Sequence, residues 1–107
     1  MARKTLRLLI TTEMEIEMPH TIAVHPGKVL ADELAERRIS QSLLAKHIGV
    51  LSKTINEICR GKRGISAEMA WKLSQTLGAS PNFWLNLQNN WELSQVKMKP
   101  LKKLRAV

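Results

Sequence analysis

The 107-residue chain has one cysteine, no tyrosine, one phenylalanine and three tryptophans. A lone Cys excludes an internal disulfide and most cysteine metal sites. With so few aromatics, and with the tryptophans spaced as core residues, no platform exists on which unpaired bases could stack, so a single-strand RNA binder is disfavoured. No apolar run approaches the ~18 residues of a membrane span. No charged-then-apolar leader with a small-residue cleavage site opens the chain, which sets the expectation of a cytoplasmic protein. The nine acids are scattered (Asp32, Glu33, Glu36, Glu57, Glu68 and Glu92 in the body), with no paired carboxylates and no nucleophile beside a base. No catalytic residue, and hence no enzyme, is expected from that inventory. His20 and His25 have no Cys or acid cluster nearby, so neither a metal site nor a cofactor is expected. The length suits one domain with one modest core.

What is abundant is positive charge, 17 Lys and Arg giving a net +8, and it is unevenly placed. Residues 1–25 and 26–39 each cancel. Residues 40–64 hold Lys46, Lys53, Arg60, Lys62 and Arg63 against Glu57 alone, and the tail 97–107 carries five cations and no acid. A basic block confined to one part of a small domain is the footprint of a polyphosphate partner.

Between Pro26 and Val96 the chain reads as five short helices. Pro26 suits a first helical turn, because the N–H it lacks would have no partner there. Leu30, Ala31, Leu34 and Ala35 then form an apolar stripe ending near Arg38. Ser40, Ser52, Ser66 and Ser80 stand as N-caps, and Gly49, Gly61 and Gly78 as stops. Leu44, Ala45 and Ile48 point inward from the second helix, Ile55, Ile58 and Cys59 from the third, and Met69, Ala70, Leu73 and Leu77 from the fourth. Trp71, between positions 70 and 73, is expected to be partly buried. Trp84, Leu87 and Trp91 give the fifth helix its inward stripe. Positions 6–18 instead alternate with period two (Leu6, Leu8, Ile10, Met14, Ile16, Met18), a strand pattern. The division is therefore an N-terminal arm over 1–24, a helical domain over 25–96 and a basic tail over 97–107. The fold class is all-α, with an arm that reads as extended or disordered.

The block from Gln41 to Gly61 carries the functional signal. Ala45 stands four residues after Gln41, Gly49 eight, Ile55 fourteen and Ile58 seventeen after it. A small residue lets two helices touch where they cross, a glycine turns the chain with positive φ, and two isoleucines three apart hold the second helix down. The remainder of that helix, Ser52, Lys53, Thr54, Asn56 and Glu57, must then face outward. This is a helix-turn-helix, whose second helix enters the major groove. Asn can pair with adenine, Lys can donate to guanine and Glu can accept from cytosine. Arg60, Lys62 and Arg63 follow the helix, where phosphate contacts position a protein without specifying sequence.

The stretch SQSLLAKHIGVLSKTINEICRG, residues 40–61, resembles the phage-repressor (Xre) helix-turn-helix. The longer run over about 25–96, with its His-Pro-Gly entry and SPNFWLNLQ segment, resembles the HigA antitoxins of bacterial toxin–antitoxin modules. That resemblance implies a five-helix phage-repressor-like domain that forms a homodimer on a palindromic operator and represses its own operon. It also implies neutralisation of a HigB-type mRNA-cleaving toxin by direct binding, without catalysis by the antitoxin. For Gln41 it suggests a phosphate-contacting or bridging role. The alternative is a free-standing Xre-type regulator with no toxin. Leu85 and Leu93 lie off the inward stripe of the fifth helix and, with Trp91, point to a dimer interface. The 1–18 segment lies outside the resemblance; its alternation suits pairing with a second subunit's arm or with a sheet edge of the toxin.

Overall fold

The computed structural model describes residues 23–104; residues 1–22, with the alternating segment and nearly all of the N-terminal arm, and residues 105–107 lie outside the described residues. Five helices follow in order: α1 (Pro26–Arg37), α2 (Gln41–Ile48), α3 (Ser52–Cys59), α4 (Ala67–Leu77) and α5 (Pro81–Ser94). No strand occurs among the described residues. Three of the four expected serine caps form. Ser40, Ser66 and Ser80 have extended backbones and accept from the N–H of Leu43, Met69 and Phe83. Each satisfies a donor that the helix itself leaves without a partner. Ser52 is the exception. Leu51 takes the extended cap position, Ser52 becomes the first helical residue, and α3 has no side-chain cap.

One core joins the five helices: Leu30 and Leu34 from α1, Leu44 and Ala45 from α2, Ile55 and Ile58 from α3, Leu73 and Leu77 from α4, and Phe83 and Trp84 from α5 are all buried. In α1 the expected stripe is displaced. Ala35 is exposed and Ala31 half-buried, while Val29 and Glu33 are buried beside Leu30 and Leu34. The cause is an internal ion pair: Glu33 is completely buried, Arg37 Nε donates to its Oε1 at 2.5 Å, and Arg37 Nη2 donates to the Leu77 carbonyl at 2.8 Å. A carboxylate so paired can occupy a core-facing position that its charge alone would forbid. Trp71 is 57% exposed rather than partly buried, because Met69, Ala70, Leu73 and Leu77 already fill the inward face of α4.

α1 and α3 meet at backbone distance. A Cβ on Gly27 would stand 1.7 Å from the Ile58 carbonyl oxygen, so only glycine permits this crossing. α3 is thereby fixed from below by α1 and from the side by α2.

Candidate nucleic-acid interface

The turn between α2 and α3 is Gly49-Val50-Leu51. Gly49 adopts φ 75°, ψ 38°, and both its own N–H and that of Val50 are donated to the Ala45 carbonyl. Left-handed backbone is costly for residues with a Cβ, which is why glycine stands there. Ala45 is buried at the crossing and Ile55 and Ile58 are buried beneath α3. The opposite side of α3 leaves Ser52, Lys53 and Asn56 exposed, with Thr54 and Glu57 half-buried at its edges.

These side chains form a connected surface with α2. Asn56 Nδ2 donates to Gln41 Oε1 at 3.2 Å, and the hydroxyls of Ser52 and Ser42 lie 3.5 Å apart. The Gln41–Asn56 bond leaves Gln41 Nε2 free to donate to a phosphate. It also leaves Asn56 Oδ1 and a second amide hydrogen for a base edge. Glu57 Oε1 accepts from Arg63 Nε at 3.0 Å and Nη2 at 2.7 Å, leaving Oε2 as an acceptor for a base amino group. The hydrogen bond from Arg63 holds the Glu57 carboxyl below its ordinary range; desolvation opposes this, while the charges of Arg63, Lys53 and Lys62 reinforce it. Arg63 is thus tied to α3, whereas Arg60 and Lys62 stand exposed with no ion pair among the described residues.

The first turn of α3 has neither a side-chain cap nor an acid. Its unpaired N–H groups and the positive end of its dipole favour an approaching anion. Leu51 stands 72% exposed at that end, a natural neighbour for a thymine methyl. Its exposure has no signature in the residue spacing; it follows from Leu51 rather than Ser52 occupying the cap.

Two further side chains support the loop after α3. Gln88 on α5 is buried, and its Oε1 accepts from the Ile65 N–H at 2.8 Å. His25 caps α1, its Nδ1 accepting from the Gly27 N–H at 2.9 Å, and its ring meets Trp91 edge-on at 4.7 Å. Neither role was foreseen, although Gln88 shares the inward spacing of Trp84, four residues before it. Burial lowers the affinity of His25 for a proton, and burial pushes the Cys59 thiol up, favouring its protonated form.

The three residues expected at a dimer contact separate in the structure. Leu93 is 61% exposed, but Leu85 is partly buried against the core and Trp91 is engaged with His25. No group of three His, Cys, Asp or Glu side chains suited to a metal occurs among the described residues, and no helix there is long and apolar enough to cross a membrane.

Comparison with known proteins gives a consistent answer. The family described as helix-turn-helix matches residues 30–84. Virulence-associated protein A′ of Dichelobacter nodosus is 42% identical over 84 residues, 78% of this chain and 73% of that protein. The structure of the Pseudomonas aeruginosa antitoxin HigA with the higBA promoter is similar at TM-score 0.66 and 43% identity, covering 68% of this chain and 80% of that one. The antitoxin GraA in complex with its operator is similar at TM-score 0.71 and 33% identity, covering 84% of this chain and 99% of that one.

Proposed function

This chain belongs to the Xre-type helix-turn-helix family that includes the HigA antitoxins, and we propose that it is an antitoxin that binds the operator of its own operon and neutralises a toxin encoded beside it. The observation that carries the DNA half is the joined outer face of α2 and α3. Gln41 and Asn56 are bonded to each other, Ser52 and Lys53 are exposed beside them, and Arg60 and Lys62 stand at the far end. Base-reading groups are centred on this surface and phosphate-binding groups flank it, the arrangement a major-groove reader requires. Its relatives' complexes with a promoter and an operator support the same role.

A homodimer would place two α3 helices about one DNA turn, ~34 Å, apart on a palindromic site. Leu93 on α5 is the exposed apolar residue suited to that contact. The toxin half rests on the likeness to HigA and GraA, and the partner expected is an mRNA-cleaving ribonuclease of the HigB type. One experiment tests both halves. The full chain, co-expressed with the product of the neighbouring reading frame, is purified and titrated with duplex DNA from upstream of its own gene. A co-purifying small ribonuclease, inhibited in the complex, and nanomolar-class operator binding that Leu93→Glu weakens support the proposal. Operator binding with no such partner would leave a free-standing regulator.

A further inference from the structure

The geometry points to the basic C-terminal tail as a second DNA-binding element, an arm that tracks phosphates beside the half-site occupied by α3. The inference rests on the duplex-binding role proposed above. Its starting point is where α5 ends. Along α5, Gln88 holds the Ile65 N–H and its amide packs on Gly64, within 2.9 Å of where a Cβ would stand. One turn on, Trp91 contacts His25, and the His25 ring lies against Gly61, 3.9 Å from the corresponding position there. Gly61 and Gly64 bracket Lys62 and Arg63. The C-terminal half of α5 therefore runs beside the loop assigned to phosphate contact, and the helix stops at Ser94, one turn past Trp91.

The chain that leaves this point has a single charge sign. Lys97, Lys99, Lys102 and Lys103 are exposed, none forms an ion pair among the described residues, and no acid follows Glu92. Pro100 prevents the helix from resuming. Residues 97–104 without helix can extend about 26 Å at ~3.3 Å per residue, a length equal to the axial rise of roughly seven base pairs. The tail thus begins at the end of the helix whose C-terminal half runs beside the loop of Lys62 and Arg63. Its single charge sign and its origin beside that loop favour nucleic acid over a protein partner for the tail, despite Met98 and Leu101 between the lysines and Leu104 after them. Flexible lysines offer point charges without bidentate geometry, so the arm adds affinity but no base preference.

The test compares the full chain with a variant carrying Lys97→Gln, Lys99→Gln, Lys102→Gln and Lys103→Gln, and with one carrying Arg at the same four positions. Each is titrated with one 30-base-pair duplex at several salt concentrations, with helicity checked by circular dichroism. The Gln variant is expected to bind at least roughly tenfold more weakly at low salt, and its log–log salt slope to be shallower by about 0.9 per lost contact. The Arg variant should keep both affinity and slope. If the full chain binds and the Gln variant shows the same slope, the tail has no DNA role, and a loss of self-association or toxin binding instead would assign it to protein. If the full chain binds no duplex at any salt, the DNA role of the whole protein fails, a distinct result.

Discussion

Gly27 and His25 show how single residues at the entrance of α1 govern α3 from outside it. Gly27 lies directly on the Ile58 carbonyl, and backbone cannot move aside as a side chain can. Gly27→Ala should therefore cost as much as the upper end of ordinary overpacking, about 3 kcal/mol, and lower the melting temperature by about 15 °C in a domain of this size. Gly49→Ala is the control: nothing lies within 4 Å of a Cβ there, so only the left-handed backbone is penalised, by about 1–2 kcal/mol. Thermal denaturation of the two variants would contradict this ranking if Gly49→Ala were the worse. His25 must be neutral at Nδ1 to accept the Gly27 N–H, and burial lowers its pKa below the ordinary 6.5. A histidine whose folded pKa is depressed contributes stability that is complete above the unfolded value and is lost as pH falls below it. Melting temperature should thus decline as pH falls below about 6.5. His25→Asn, which keeps a capping acceptor, should flatten that decline. A slope unchanged by the substitution would show that another group titrates in this window.

At the scale of elements, much of the fold was legible because helix boundaries are written in local chemistry. Ser40, Ser66 and Ser80 cap as expected, since a serine before an apolar period has one favourable use. Ser52 failed because the cap is decided by backbone conformation: a turn of Gly49-Val50-Leu51 puts the extended residue one place earlier. The α1 stripe was misplaced because Glu33 carries a charge, and its partner Arg37, reaching on to the Leu77 carbonyl, is a tertiary relation invisible to periodicity. Trp71 was misjudged for the converse reason, as apolar character does not secure burial once four neighbours fill the face. The outer face of α3 was legible from spacing alone, since Ile55 and Ile58 fix which side points in. Its bonds to Gln41 and Arg63, and its support by Gln88 and His25, depend on elements distant in sequence and required the structure.

At the scale of the whole molecule, one surface is proposed to do two separable things. Exposed Asn56 and Lys53 at its centre would read bases, and exposed Lys62 with the cations around it would hold phosphates at its rim. α1 contributes to this surface by fixing the α3 backbone at the Gly27–Ile58 contact. The most direct test is a binding titration of the unaltered chain, Asn56→Ala and Lys62→Ala against the operator and a set of its single-base-pair variants. Asn56→Ala is expected to erase the preference at one base pair, worth about 1–3 kcal/mol, while leaving the other positions ranked as before. Lys62→Ala should instead weaken every sequence by the same factor and make the salt slope shallower by about 0.9. If the two substitutions lower affinity alike across all operator variants, α3 does not read bases through this face, and the central claim is contradicted.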